Sequence, residues 1–236
     1  MVPCSVVELR QYTLHPNRRS ELIQLFEREF IESQESAGIR VLGQFEDVDV
    51  PDRFVWFRGF QDMVQRREAL TAFYEGPVWR ANRDATNATL VDSDDVLLLR
   101  PVHPWGGFPQ RARERGDEPP ASLLLIRVFH RAPGADDLLS FCREQVAPVL
   151  EGTGGTPIAW LETEHARNDF RLPVRDGADV VVCVSTLSDG EALHRHRALL
   201  AADLHWAEQV APALGCQLAG PVEERVLRPT RRSGLW

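Results

Sequence analysis

The stretch Glu8-Leu9-Arg10-Gln11-Tyr12-Thr13-Leu14-His15-Pro16 decides the fold, because a similar stretch occurs again in the same chain. Ile126-Arg127-Val128-Phe129, followed by Pro133, aligns with it and places Arg127 over Arg10 at an offset of 117 residues. Both stretches are short, and both precede a segment with helical periodicity. A duplicated sequence predicts a duplicated structural unit.

Further pairs of equivalent positions follow in the same order along the chain. They are Gly38 with Gly155, Asp62 with Asp189, Trp79 with Trp206, and Leu99-Arg100-Pro101 with Leu227-Arg228-Pro229. The offset grows from 117 at the glycines to 127 at the aspartates, so the second copy carries an insertion. The polar stretch His165 to Ala178, rich in turn-forming residues, predicts a lengthened hairpin loop at that place.

Each copy predicts the element order βαββαβ. The first strands are predicted over Val6 to Leu14 and Leu123 to Arg131, where residues alternate with period two and β-formers are frequent. The other strands are predicted over Arg40 to Glu46, Phe54 to Phe60, Val96 to Arg100, Ile158 to Glu164, Asp179 to Leu187 and Glu224 to Arg228.

Apolar residues spaced four apart predict a first helix in each copy. They are Leu22, Phe26 and Phe30 in copy one, and Leu138, Cys142 and Val146 in copy two. In copy two the start of the second helix is predicted at the capping box Ser188-Asp189-Gly190-Glu191, in which Ser188 and Glu191 satisfy each other's backbone amides.

A βαββαβ unit forms a four-stranded antiparallel sheet with both helices on one face, which leaves the other face bare. Two units in one chain can cover both bare faces by packing them together. The sequence therefore predicts an α+β fold of two tandem ferredoxin-like βαββαβ units, packed sheet to sheet as an α+β barrel. The predicted boundaries are 1–104 for the first unit, 105–120 for a linker rich in Gly, Pro and charge, and 121–236 for the second unit.

Composition excludes several classes of function. All 27 basic residues are arginine, which is typical of a GC-rich genome such as an actinobacterium's. Without lysine, Schiff-base chemistry and pyridoxal phosphate anchoring are excluded. The net charge of −8 opposes binding to nucleic acid. No apolar stretch is long enough to span a membrane and no secretion signal is evident, so we expect a soluble cytoplasmic protein.

The stretch from Glu8 to Pro16, together with Ala37-Gly38-Ile39-Arg40-Val41-Leu42-Gly43 and Gly76-Pro77-Val78-Trp79, resembles the NIPSNAP family. The resemblance covers residues 5 to 102, and the second copy shares only the skeleton of the pattern. Asn17 stands where the family usually has a glycine, and as an N-cap it is acceptable. The resemblance implies the dimeric α/β-barrel superfamily, which includes cofactor-free monooxygenases, polyketide cyclases and haem-binding proteins, so it implies the fold better than the reaction.

The first-choice catalytic residues are Glu8, Arg10 and Tyr12, which alternate along the first strand and therefore share one face of it. Arg10 would bind an enolate or carboxylate while Glu8 or Tyr12 moves a proton. The alternative interpretation is a buried Glu-Arg pair that ties the two sheets together. Copy two has Leu125 and Phe129 at the positions of Glu8 and Tyr12, so the polar set is kept in one copy.

His130 and Glu162 form a second candidate pair for acid-base catalysis, in a predicted cluster with Trp160, Glu164 and His165. The alternative is that these are ordinary polar residues at a sheet edge. The residues predicted to contact a substrate are Trp56, Arg127, Trp160 and His205.

No metal site is predicted. His194 and His196 lie two apart on a predicted helix and point in different directions. His205 remains the candidate if the protein binds haem. Trp79 and Trp206 are interpreted as core residues, Arg100 and Arg228 as residues that close the sheet, and the tail from Arg228 to Arg232 as a solvated arm.

These observations predict a small-molecule-binding protein, and more specifically a cofactor-independent enzyme of secondary metabolism. It would cyclise, isomerise or rearrange an apolar or aromatic metabolite by acid-base chemistry. A non-catalytic binding or interaction protein, a cofactor-free monooxygenase and a haem-binding protein are the alternatives. We expect a small-molecule substrate as partner, no cofactor, no nucleic acid and no membrane. Whether two chains form a homodimer is left open.

Overall fold

The computed structural model describes residues 4–102, 108 and 121–236. The predicted linker 105–120 lies outside these residues except for Phe108. The described strands are β1 (Val6–Leu14), β2 (Arg40–Asp47), β3 (Arg53–Phe60), β4 (Leu90–Pro101), β5 (Leu123–His130), β6 (Pro157–Thr163), β7 (Val180–Leu187) and β8 (Glu223–Pro229). They close into one antiparallel barrel in the order β1-β3-β2-β8-β5-β7-β6-β4.

The helices cover the outside of this barrel. They are α1 (Arg19–Leu25), α2 (Ile31–Ser36), α3 (Met63–Tyr74), α4 (Pro77–Asn87), α5 (Leu138–Phe141), α6 (Ala147–Gly152), α7 (Gly190–Ala202) and α8 (Ala211–Gly215). π-helical segments join α1 to α2 (Phe26–Phe30) and α5 to α6 (Cys142–Val146), and another precedes α8 (Trp206–Val210). In the described part of the chain, no helix has the length and apolar character needed to cross a membrane.

Each half of the barrel is one βαββαβ unit with the sheet order expected of a ferredoxin-like fold. The first unit contributes β4-β1-β3-β2 and the second contributes β6-β7-β5-β8. The units meet at two antiparallel seams, β2 with β8 and β4 with β6. The predicted α+β barrel of two tandem units is therefore confirmed.

The barrel interior is one apolar core shared by both units. Val7 and Leu9 of β1 belong to the same buried cluster as Ile126 and Val128 of β5. Because side chains alternate along a strand, the residues between them point outward, toward the helices. Phe108 also packs on this core, with its ring 4.9 Å from that of Phe57.

The outer face of each sheet forms its own cluster with the helices above it. In the first unit this cluster is rich in aromatic residues, including Phe26, Phe54 and Trp56. In the second unit the corresponding layer has fewer buried aromatic residues, and Cys142 and Cys183 are among its members. The two units thus share an interior but differ on their outer faces.

Arg100 and Arg228 reach across the two seams, where the sequence predicts residues that close the sheet. The Arg100 guanidinium lies 2.8 Å from the Glu162 carboxylate, and Arg228 lies 3.9 Å from Glu46. Both arginine side chains are half-exposed, so each pair contributes little to stability. Strand pairing and the shared core hold the seams.

Two local expectations are wrong. The N-cap of α7 is Asp189, whose side chain accepts a hydrogen bond from the Ala192 amide at 2.8 Å, while the Ser188 hydroxyl donates to Asp189. The tail from Arg228 to Arg232 is not a solvated arm, because Thr230 is buried and both its hydroxyl and the Arg232 amide donate to the Glu27 carboxylate at 2.7 Å. Further on, Leu235 belongs to the barrel core.

Candidate functional site

A cavity of about 120 Å³ lies between the sheet of the first unit and its helices. Its walls are mainly aromatic: Tyr12, Phe26, Phe30, Trp56, Phe73, Tyr74 and Trp79. Phe26 and Phe30 begin and end the π-helical segment, and the ring of Phe26 lies 4.9 Å from that of Trp56. π-helical segments often occur at functional sites, and this one places two rings over the sheet.

Beneath the cavity, three arginines surround one completely buried carboxylate. Glu8 accepts hydrogen bonds from Arg10 and Arg58 on one oxygen and from Arg66 on the other, each at 2.7 Å. Arg58 lies opposite Glu8 in the β1–β3 register, and Arg66 comes from α3. These four residues form the arginine cluster of the site.

The arginine cluster keeps Glu8 ionised. Burial by itself raises the pKa of Glu8, but the charges of Arg58, Arg10 and Arg66 outweigh burial and hold the pKa well below its usual range. A carboxylate held in this way is a poor proton acceptor. Glu8 therefore orients the arginines instead of exchanging a proton.

The arginine cluster carries more positive than negative charge. Three guanidinium groups face one carboxylate, and the next acid, Asp169, is partly exposed and 4.0 Å from Arg66. An uncompensated buried charge is unfavourable unless a counter-charge comes close. An anion in the adjacent cavity would supply that counter-charge.

Arg10 and Tyr12 present polar groups to the cavity. The Nε of Arg10 donates to the Tyr12 hydroxyl oxygen at 3.0 Å, which leaves the Tyr12 proton available for another acceptor. Burial raises the pKa of Tyr12 more than Arg10 lowers it, so Tyr12 is protonated at neutral pH. Tyr12 is thus a hydrogen-bond donor next to a fixed cation.

Two other polar atoms of cavity-lining residues are buried without a hydrogen-bond partner in the described part of the chain. They are Nε1 of Trp56 and Oε1 of Gln34. Most buried polar atoms in folded proteins have a partner, so these two atoms are exceptions. One is a donor and the other an acceptor.

The rim of the cavity is polar on one side and apolar on the other. Asn87 ends α4, and Ser93 and Asp94 lie on β4. Leu172 and Pro173 come from the β6–β7 loop (residues 164–179) of the second unit. Both units therefore contribute to the site.

At the equivalent place in the second unit, Arg127 takes part in a different network. It donates to Glu224 at 3.1 Å and lies 2.8 Å from Nε2 of the buried His196. Burial, followed by the charge of Arg127, lowers the pKa of His196. The neutral His196 can therefore accept the hydrogen bond from Arg127.

The predicted residues separate into two groups in space. Glu8, Arg10, Tyr12 and Trp56 come together under the helices of the first unit. Glu8 and Arg10 do form the buried pair of the alternative interpretation, but this pair lies on the outer face of β1 under the helices and not between the two sheets.

The other predicted residues lie elsewhere. His130 contacts Glu223 at 2.7 Å, whereas Glu162 pairs with Arg100. Their neighbours along the strands show that His130 and Glu162 point to opposite faces of the sheet, so they do not form a pair. The remaining three are on the second unit: Arg127 in its buried network, Trp160 stacked on Phe129, and His205 exposed at a helix start. Within the described residues, no three His, Cys, Asp or Glu side chains are placed to hold a metal ion.

Sequence reasoning missed several residues of the site. Arg58 shares a strand face with Trp56, which was a detectable signal. Arg66 and Gln34 lie on helices, and no local pattern indicates that they reach the sheet. Trp79, interpreted as core, is only partly buried and lines the cavity.

Comparison with known families matches residues 7–104 to the NIPSNAP family. Comparison with curated proteins gives no match. Among solved structures, a candidate monooxygenase from Lactobacillus acidophilus is 14% identical, with 98% of each chain covered and a TM-score of 0.59. A candidate monooxygenase from Fusobacterium nucleatum is 7% identical, covering 97% of this chain and 94% of that one, with a TM-score of 0.64. An anthrone oxidase-like protein is 14% identical, covering 98% and 93%, with a TM-score of 0.61. At these identities the likeness shows a shared fold.

Proposed function

Because residues 7–104 form a NIPSNAP domain, we propose that the cavity of this domain binds a small aromatic molecule as its anion and transforms it without a cofactor. The observation that carries the proposal is the aromatic cavity directly above a buried excess of positive charge. A volume of about 120 Å³ fits a ligand with a single aromatic ring. Phenols and enolisable aryl ketones have this size and become anionic at oxygen.

Arg10 and Tyr12 would stabilise the negative oxygen of the bound molecule. Fixed donors in a site that excludes water stabilise a developing oxyanion strongly, because they need no reorganisation when the charge appears. Glu8 would act as a positioning residue that holds Arg10 in place.

The proton removed from the substrate needs an acceptor. Among the cavity-lining residues Asp94 is the carboxylate, and it lies exposed at the rim. We assign it the role of general base. Return of the proton to a different carbon, or attack of the enolate within the same molecule, gives isomerisation or cyclisation without any oxidant. The proposal includes a cytoplasmic location, where such metabolites are processed.

Oxygenation is the second candidate, and it uses the same bound anion. It is supported by the names of the full-length structural neighbours, which describe candidate monooxygenases and an anthrone oxidase-like protein. An electron-rich phenolate can react with molecular oxygen, whereas isomerisation consumes none. Oxygen uptake measured with an electrode during turnover separates the two reactions.

Anion binding can be tested with 4-nitrophenol, because its phenolate absorbs visible light and its neutral form does not. We expect the bound probe to ionise at a lower pH than the free probe. Arg10→Gln should abolish this shift, and the matched variant Arg127→Gln, at the equivalent position of the second unit, should keep it. A bound probe with an unchanged pKa would refute the anion-binding proposal.

Catalysis can be tested without knowing the natural substrate. Proton abstraction next to a carbonyl exchanges the hydrogen for deuterium in D₂O, and NMR follows the exchange in a small aryl ketone such as phenylacetone. We expect the protein to accelerate exchange, and Tyr12→Phe to reduce the acceleration by about 100-fold, as loss of one oxyanion donor does. Binding of the phenol without any exchange would favour a non-catalytic binding protein.

A further inference from the structure

The β6–β7 loop belongs to the second unit but packs on the first. It has 16 residues, whereas the equivalent β2–β3 connection of the first unit, residues 48–52, has five. Its two ends are fixed to β4, because the Glu164 amide donates to the Leu98 carbonyl at 2.9 Å and the Arg175 amide to the Val96 carbonyl at 2.8 Å. The insertion detected in the sequence thus reaches across the β4–β6 seam.

Between these ends, the loop contacts the arginine cluster. Arg66, which donates to Glu8, also donates to Oδ1 of Asn168 at 3.0 Å. Asp169 lies 3.1 Å from the guanidinium of Arg67 on the same helix. The loop is therefore attached to the polar groups under the cavity as well as to the sheet.

The loop also covers the cavity. The ring of Phe170 lies 5.9 Å from that of Tyr74, and Leu172 and Pro173 line the cavity. Asn168 connects the residues that cover the cavity with the arginine cluster. Its Nδ2 donates to the Leu172 carbonyl at 2.9 Å, and its Oδ1 accepts from Arg66. One side chain thus fixes the cover relative to the arginine cluster.

We infer that this loop is the specificity element of the site: Leu172 and Pro173 limit the size of the molecule that enters, and Asn168 is the positioning residue that holds them. This inference rests on the proposed function, because it takes the molecule that enters the cavity to be a substrate. In the second unit, the equivalent arginine, Arg127, contacts Glu224 and His196. The second unit therefore contributes selectivity to the site of the first unit.

The size limit can be measured without a substrate by labelling a cysteine placed inside the cavity of the full chain. Thr86 lines the cavity and is 4% exposed, so Thr86→Cys supplies the thiol. Methyl methanethiosulfonate serves as the small reagent and fluorescein maleimide as the bulky one. Peptide mass spectrometry separates labelling at position 86 from labelling at the four native cysteines.

In the Thr86→Cys background, Leu172→Ala should raise the rate of the bulky reagent relative to the small one by about ten-fold, the scale on which small apolar groups discriminate between ligands. Asn168→Asp keeps an acceptor for Arg66 but loses the donor to Leu172, and it should raise the same ratio. The matched control is Val174→Ala, in the same loop, which removes apolar groups from a residue that does not line this cavity.

Circular dichroism and melting temperature confirm that each variant is folded. An equal rate ratio in the Leu172→Ala and Val174→Ala variants would overturn the inference. This result is independent of the 4-nitrophenol titration, so failure of anion binding and failure of the size limit are distinguishable. A raised ratio in both Leu172→Ala and Asn168→Asp supports the assigned roles.

Discussion

At the scale of single residues, Glu8 illustrates why a buried charge is retained. It is completely buried, and its two oxygens accept hydrogen bonds from three guanidinium groups. Replacing a buried ion pair by apolar residues is often tolerated, but removing only one partner leaves the others uncompensated. Glu8 is therefore needed wherever the three arginines are kept.

Glu8→Gln should lower the free energy of unfolding by about 3–5 kcal/mol, since three buried guanidinium groups lose their counter-ion. Urea denaturation measures the change. The control is Glu224→Gln in the second unit, which removes a partly exposed partner of Arg127 and should cost less. Equal losses in the two variants would contradict the special role of Glu8.

Glu8 should also make stability depend on pH. Its pKa is lowered in the folded protein, so its contribution is complete above the unfolded pKa of about 4.3 and decreases as the pH falls below that value. The difference in unfolding free energy between the native chain and Glu8→Gln should therefore shrink on acidification from pH 5 toward 3. Urea titrations at several pH values measure this difference, and a constant one would be inconsistent with the lowered pKa.

Asn17 shows how one residue accommodates a turn. Its φ angle of 65° lies in the left-handed region, where glycine is usual and asparagine is tolerated better than most residues. Arg18, not Asn17, is the N-cap of α1. The family pattern has a glycine at this position because the backbone there adopts a left-handed conformation.

At the scale of elements, the repeated aspartates Asp62 and Asp189 are helix caps. Asp62 accepts from the Gln65 amide at 2.8 Å, and Asp189 accepts from the Ala192 amide at the same distance. The match between these positions in the two copies therefore reflects the same local function. Ser188 precedes the cap and has no such bond to the helix backbone.

Asp62→Ala should destabilise the protein by about 1 kcal/mol through loss of the N-cap. Asp189→Ala should act in the same direction, whereas Ser188→Ala should leave stability unchanged. Thermal unfolding followed by circular dichroism at 222 nm measures all three variants. If Ser188→Ala lost as much stability as Asp189→Ala, the result would support the capping box predicted from the sequence.

At the scale of the whole molecule, duplication creates one core from two units. Phe57 of the first unit and Val182 of the second belong to the same buried cluster. Each sheet needs the other to exclude water from its apolar inner face. The outer faces have no such constraint, so they can differ between the units, and the first unit keeps an aromatic cavity there.

The shared core predicts that both units unfold in one cooperative transition. Phe57→Ala, which should cost about 3–5 kcal/mol, is expected to lower the unfolding midpoint of the whole chain. Tryptophans in both units make this visible, because Trp56 and Trp160 report on different halves. Fluorescence and circular dichroism should give coincident curves, and two separate transitions would show that the units are independent.

The sequence predicted the parts of this protein that depend on spacing along the chain. Strand alternation placed Glu8, Arg10 and Tyr12 on one face, and the repeat anchors placed the same elements in both copies. These patterns are local, because side-chain direction in a strand follows from position alone. The fold and the first half of the site followed from them.

Tertiary structure decided which distant residues complete the site. Arg58 and Arg66 reach Glu8 through the β1–β3 register and the packing of α3, and His130 and Glu162 are separated by the faces of the sheet. The sequence located the insertion between β6 and β7 but not its contact with the first unit. That contact depends on the β4–β6 seam, which forms only when the barrel closes and brings two distant segments together.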